Sequence, residues 1–360
     1  MTIQLIPIPP VGRTSDSGHG WLYEAVATID RAISAELGSA DAARSAQASV
    51  VERANETTET KHWVLAVDDA DPRVGLAWAF VGLPVLGDLE KAYAGVSVLP
   101  AQRRQGLGTV LLEWCETVVR DAGRRLVLVW SQYAGVEDHA PYVTGPTGAV
   151  APASAGVAFA LHRGFHLKQA ERRSCLELPM DPGVFARLDA DAQAHSGGYR
   201  FHTWDGVIPD EWLEPVGRLR QAFAQQAPAG GVEWDDDPWD RARVERMLDD
   251  YRQAGRCYLV TAAECVATGE LVGLTEYTWP DDPGCPVAWQ WMTLVLPDHR
   301  GHRLGLAMKL ANTAGLTRRA PQLTLVLTEN AHENAPMLAI NVAMGFRPAG
   351  GSAMLAKELG

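Results

Sequence analysis

Apolar residues recur along this chain in two alternating rhythms. Leu22, Val26, Ile29, Ile33 and Leu37 stand three or four apart, which predicts a helix over Trp21 to Leu37 closed by Gly38. A second helix is expected over Ala42 to Asn55. Shorter apolar runs predict strands at Thr2 to Ile8, His62 to Val67 and Val74 to Val81, the last two flanking the turn residues Asp68 to Pro72. Val96 to Leu99 reads as a short buried strand that Pro100 ends, because proline donates nothing to a ladder. From Thr109, Leu111, Trp114, Cys115, Val118 and Val119 form one face of a helix stopped by Gly123. Leu126 to Trp130 is the next strand. Ala134 to Gly156 has no period and reads as a long surface loop, a lid or an insertion. A helix ending at Gly164-Phe165 and a strand over Arg173 to Leu178 follow.

The pattern then repeats. Pro179 to Gly183 and Asp189 to Gly198 read as linker, so domains are expected at residues 1–180 and 199–360, joined by 181–198. Helices are expected over Trp212 to Ala224 and Asp240 to Gly255, and paired strands over Cys257 to Ala263 and Glu270 to Thr278. Aspartates 235 to 237 read as helix-start charges favoured by the dipole. Trp291 to Pro297 repeats the strand ended by proline, a helix runs from Leu306 to Gly315, and Leu323 to Leu327 supplies the next strand. Pro100 and Pro297 each stand eight residues before the second turn glycine, Gly108 or Gly305. The Gly-Phe pairs at 164 and 345 follow those glycines by 56 and 40 residues, and the difference falls on the long loop of the first copy.

The turn between strand and helix carries the chemistry. Arg103-Arg104-Gln105-Gly106-Leu107-Gly108 would present unpaired backbone N–H groups and the positive end of a helix dipole, an arrangement that binds phosphate. A dinucleotide fingerprint needs a third glycine where Leu111 stands, so that reading is the weaker one. Arg-x-x-Gly-x-Gly after a proline-ended strand resembles the acyl-coenzyme A loop of the Gcn5-related N-acetyltransferase (GNAT) superfamily, and its recurrence at 300–305 makes the chain similar to a tandem GNAT protein. The resemblance covers most of the chain and implies an α/β (α+β) fold of two domains, each a twisted mixed sheet flanked by helices. It further implies that Val98, Arg103, Arg104, Gln105, Gly106, Leu107, Gly108 and Thr109 hold an acyl-coenzyme A in the first copy. Val295, Arg300, Gly301, His302, Arg303, Leu304, Gly305 and Leu306 would do so in the second, with Asn334 helping to hold the pantetheine arm.

Both copies depart from the family pattern. The family's last helix begins with an asparagine and carries a tyrosine that protonates the leaving thiolate. Those positions are Ala153 and Ala160 in the first copy, and Asn334 and Asn341 in the second. The second copy also has Arg303 in place of the first loop glycine, free either to reach a phosphate or to fill the pocket, so the first copy is expected to bind somewhat better. Glu90 and Glu276 are candidate bases for an ammonium acceptor, and Tyr133, with Ser131 nearby, and Asn341 are candidate partners for the departing sulfur. For each, an ordinary structural role competes with the catalytic one. His299 and His302 could complement phosphate or merely solvate the loop, and Trp279, Trp289 and Trp291 could line a cleft or fill the core.

Composition narrows the partners. At 360 residues, with 47% hydrophobic and 21% charged residues, the chain suits two ordinary globular domains. A net charge of −12 without a basic block argues against nucleic acid and suits a cationic substrate. Five cysteines with no metal-ligand spacing suggest reduced thiols and no metal, and neither a signal peptide nor a membrane-length apolar run is visible, so a cytoplasmic protein is expected. The expected activity is acetyl transfer from acetyl-CoA, or another acyl-CoA, to a primary amine of a small molecule. The alternatives are a non-catalytic acyl-CoA-binding protein and a transferase with a different donor.

Overall fold

One order of elements, β-α-α-β-β-β-α-β-α-β, is written twice along the chain. The computed structural model describes residues 2–15, 17–39, 43–135 and 141–360. The first copy runs through β1 (Ile3–Pro7), α1 (Gly20–Glu36), α2 (Ala46–Ala54), β2 (Glu59–Asp68), β3 (Asp71–Pro84) and β4 (Lys91–Val98). It continues with α3 (Leu107–Asp121), β5 (Leu126–Tyr133), a small hairpin of β6 (Tyr142–Thr144) and β7 (Val150–Pro152), α4 (Ala155–His162) and β8 (His166–Glu177). After α5 (Pro182–His195) the second copy begins with β9 (Tyr199–Asp205), α6 (Asp210–Gln226), α7 (Arg241–Gln253), β10 (Arg256–Cys265), β11 (Glu270–Pro280) and β12 (Val287–Val295). It ends with α8 (Leu304–Arg319), β13 (Leu325–Ala331), α9 (Ala335–Met344) and β14 (Arg347–Glu358).

The chain divides into two units. The first comprises Met1–Ala170, Gly230–Asp235 and Ser352–Gly360, and the second Glu171–Ala229 and Asp236–Gly351. In the first the strand order is β1-β2-β3-β4-β5-β14, with β1 to β4 antiparallel to their neighbours and β4 parallel to β5. In the second it is β8-β13-β12-β11-β10-β9, antiparallel except for β12 and β13.

Helices cover both faces of each sheet, so the central strands are apolar on both sides. Trp63, Leu65 and Val67 of β2 pack with Leu22, Val26 and Ile29 of α1, while the alternate residues Val64 and Ala66 pack with Leu111, Cys115 and Val119 of α3. In the second unit Tyr258, Val260 and Ala262 of β10 face Val216 of α6 and Val244 of α7, and Leu259 faces Leu310 and Leu316 of α8.

Several expectations change. The segment 181–198 is not a linker: Asp181 caps α5 by accepting from the Val184 N–H at 2.8 Å, Pro182 opens it, and its Leu188 and Ala192 are buried. Nor does the first unit end at 180. Ala353 and Leu355 of β14 lie in its core, Met354 and Ala356 pack with Leu128 and Val232, and Lys357 bonds Glu116 at 2.6 Å. Ala42 lies outside the described residues, and α2 begins at Ala46 behind a Ser45 cap. Of the expected loop, 136–140 lie outside the described residues, and the rest contains the β6–β7 hairpin, whose register pairs Val143 with Ala151. α8 does not stop at Gly315, which instead lets the helix approach β10 closely: a Cβ there would stand 3.3 Å from Leu259 Cδ2.

Candidate functional site

The two strand-to-helix turns have the same backbone with the glycine moved. The turn before α3 enters the left-handed region at Arg104 (φ 66°) and Gly106 (φ 88°), and the turn before α8 enters it at Gly301 (φ 85°) and Arg303 (φ 56°). Such a turn, running into the unpaired first N–H groups of a helix, makes a concave nest of donors suited to a diphosphate.

Arg103 and Arg300, ahead of the two turns, are each tied back to the preceding strand and helix. Arg103 Nε donates to the Val98 carbonyl (3.4 Å) and its NH2 to Glu36 (2.6 Å); Arg300 Nε donates to the Val295 carbonyl (3.1 Å) and its NH2 to Gln226 (2.6 Å). Glu36 and Gln226 are the last residues of α1 and α6, so each arginine clasps its turn to the preceding strand and helix. Arg303 does not fill the nest, because Asp191 of α5 holds its guanidinium at 3.1 Å. Gln105 bonds Gln102, and Arg163 donates to Thr109. Leu107, Leu304 and Leu306 are buried core residues, and a Cβ at Gly108 or Gly305 would make ordinary contact, at 3.5 Å, with Phe159 of α4 or Ile340 of α9. His299 accepts or donates to the Tyr199 hydroxyl at 3.0 Å, and His302 packs on the same ring. Asn334 caps α9.

In each unit the parallel strands then part. The β4–β5 ladder ends at Ala94 and Val129, although β4 runs on to Val98 and β5 to Tyr133. The β12–β13 ladder ends at Gln290 and Thr328, although β12 reaches Val295 and β13 reaches Ala331. In the second unit this splay opens a cavity of about 1040 Å³ whose lining includes Gln290, Trp291, Thr328, Glu329 and Asn330, the turn residues His299 to Gly301 and Arg303 to Gly305, Asn334, and Met337 of α9. Side chains alternate along β13, so Glu329 and Asn330 face opposite sides of the cleft. Glu329 accepts from Arg173 Nε at 2.8 Å, and Asn330 Oδ1 accepts from Asn341. Trp291, 53% exposed, stacks on Trp289 with ring centroids 5.7 Å apart. In the first unit α4 lies close on β5, where a Cβ at Gly156 would stand 2.3 Å from Ser131 Oγ.

The four catalytic candidates are not brought together. Glu90 precedes β4, at the end away from the turn, and its exposed carboxylate meets Arg125 at 3.1 Å. Tyr133 is buried in the first unit's core. Glu276 is 1% exposed and does not line the cavity; it pairs with Arg220 at 2.6 Å and accepts from the Tyr258 hydroxyl at 2.7 Å. Burial works to lower the Arg220 guanidinium, but Glu276 and the Tyr258 and Tyr251 hydroxyls raise it above its ordinary value, and burial with Glu276 lifts Tyr251 to about 12. Arg220 also lies on the Trp239 ring at 4.5 Å, so the Glu276 pair belongs to the packing of the core. Asn341 is 1% exposed and accepts from Lys309 Nζ at 2.6 Å.

Sequence reasoning missed Glu329, Asn330 and Lys309. Glu329 and Asn330 stand five and four residues before Asn334, and where the ladder stops is their only signal. Lys309 sits on α8 among apolar residues, and burial pushes its ammonium down to about 7.

Comparison with known proteins agrees with this geometry. Residues 32–138 match the acetyltransferase (GNAT) family. No curated protein matches the chain. Among solved structures, a tandem GNAT protein from the clavulanic acid biosynthesis pathway, determined without AcCoA, superposes with a TM-score of 0.73 at 24% identity over 100% of this chain and 99% of that one. A GCN5-related N-acetyltransferase from Sphaerobacter thermophilus gives 0.61 at 17% identity over 98% and 95%. No helix among the described residues is long and apolar enough to cross a membrane. With two turns of one design, one of them within the segment that matches the acetyltransferase (GNAT) family, the chain has the fold of a tandem GNAT protein along its whole length.

Proposed function

We propose that the second unit binds an acyl-CoA, acetyl-CoA foremost, and transfers its acyl group to a primary amine of a small molecule. The observation that carries this reading is the cleft at the β12–β13 splay, with the donor nest of 300–305 along its wall. The diphosphate takes the nest amides, and the pantetheine lies along the free edge of β12 beyond Gln290, whose backbone groups have lost their β13 partners. The thioester then reaches the fork between Gln290 and Asn330.

The acceptor enters from the side of Trp291, Glu329 and Glu171. An alkyl amine is nearly all ammonium at neutral pH, with a pKa of about 10. The acidic wall and the indole face attract that cation, and Glu329 is the carboxylate placed to receive its proton, directly or through water. The neutral nitrogen attacks the acyl carbon and the sulfur leaves. Five cysteines without metal-ligand spacing suit a reducing compartment such as the cytoplasm.

A thiol-release assay with acetyl-CoA, longer acyl-CoAs and a panel of small amines tests this. Release that requires both donor and amine supports transfer, and the preferred donor reveals the acyl length. Binding of acetyl-CoA with no release for any acceptor contradicts it and leaves a non-catalytic acyl-CoA-binding protein.

A further inference from the structure

A chain of three polar side chains reaches the cleft from a buried cation, and the first unit lacks it. Lys309 Nζ donates to Asn341 Oδ1 at 2.6 Å, and Asn341 Nδ2 donates to Asn330 Oδ1 at 2.7 Å. Asn330 lines the cleft two residues past the last β12–β13 pair. A charged ammonium has donors only, so it turns the Asn341 carbonyl toward itself and the Asn341 amide toward Asn330. Asn330 then keeps its own Nδ2 for the cleft. Lys309 Nζ also lies 3.8 Å from Met337 Sδ and 5.3 Å from the centre of the Phe346 ring. α9 and β12 carry no titratable group, and among the described residues no carboxylate pairs with Lys309.

The internal repeat shows that packing does not demand a lysine here. Lys309 stands four residues after Gly305, and Asn341 four before Gly345; the matching residues around Gly108 and Gly164 are Leu112 and Ala160, both in the first unit's apolar core. Counting from the last ladder pair, Ser131 matches Asn330. Burying an ammonium where a leucine fits is unfavourable, and such groups concentrate where chemistry uses them.

We propose that Lys309 and Asn341 are positioning residues that make Asn330 a polarised N–H donor to the thioester sulfur, taking over the stabilisation of the leaving thiolate. This rests on the acyl-CoA reading of the cleft. As the acceptor nitrogen bonds the acyl carbon, the C–S bond breaks and its electron pair goes to sulfur. The developing thiolate accepts from Asn330 Nδ2 and, as an anion, favours the ammonium form of Lys309 behind Asn341, and the proton lost by the nitrogen passes through Glu329 or solvent to the sulfur.

The test titrates the thiol of bound coenzyme A, labelled with ¹³C at the carbon beside sulfur, by NMR on the full-length protein. Free coenzyme A titrated in the same buffer supplies the reference midpoint. The expected midpoint on the wild type is lower by about one unit or more, a roughly tenfold gain in thiolate, and both Lys309→Met and Asn341→Ala return it to the free value with coenzyme A affinity within about twofold. Asn330→Ala breaks the same chain should either variant fail to fold. An unshifted midpoint on the wild type, or variants that leave the shift intact, overturns the inference while the cleft reading stands. Absence of any bound signal overturns the coenzyme A reading, and the inference with it.

Discussion

Arg303 stands in the left-handed backbone conformation that Gly106 adopts in the first turn, with φ 56° against 88°. A non-glycine residue there carries about 1–2 kcal/mol of strain, only part of which its exposed pair with Asp191 offsets. Because backbone amides form the nest, Arg303→Gly is expected to keep coenzyme A affinity within about threefold and to change stability by less than about 1 kcal/mol. Calorimetric titration and denaturant unfolding check both; an affinity loss above tenfold makes the guanidinium a ligand.

Lys309 sets a pH dependence of stability. Its amine titrates near 7 folded and at 10.5 in the ordinary state, so between those values the unfolded chain holds one proton more and stability rises with pH. Below 7 the full penalty is present, about 4–5 kcal/mol. Lys309→Met should stabilise the protein by several kcal/mol at pH 7, a gain that shrinks toward pH 10.5 and vanishes above it. Unfolding measured across that range decides, and a pH-independent gain contradicts the burial argument.

Glu276 is structural in this account. Glu276→Gln leaves the buried Arg220 uncompensated and should cost about 3–5 kcal/mol of unfolding free energy, with coenzyme A affinity unchanged below the new melting range. An unchanged melting temperature with lost turnover makes it the catalytic base instead.

Removing residues 352–360 strips Ala353, Met354, Leu355 and Ala356 from the first unit's core. Two of these are large apolar side chains worth about 1.5–3 kcal/mol each, and the strand's backbone bonds go with them. Protease digestion should then cut the first unit, some 200 residues earlier in the chain, while the full-length protein resists. Equal resistance contradicts the assignment of this strand.

What the chain disclosed beforehand was its local order. Helix periods, strand-ending prolines and the two glycine turns lie within short windows, and the element order follows from them. The exchange of residues 352–360 into the first unit was not legible, because it depends on contacts hundreds of residues apart. The site divided in the same way. The turn was read from its glycines, yet Arg103 and Arg300 resemble phosphate ligands in sequence and become clasps only when Glu36 and Gln226 meet them. Lys309 on a helix and Glu329 on a strand carry no motif; burial of one and the end of a ladder beside the other give them their roles.

Coenzyme A titration by calorimetry on three proteins, the wild type, Gly301→Val and Gly106→Val, tests the central claim most directly. Both positions need a left-handed backbone that valine resists, so each variant distorts one nest and spares the other. The account predicts binding on the wild type and on Gly106→Val with affinities within about threefold, and a loss of at least tenfold on Gly301→Val. Binding that survives Gly301→Val and disappears with Gly106→Val contradicts it and moves the site to the first unit.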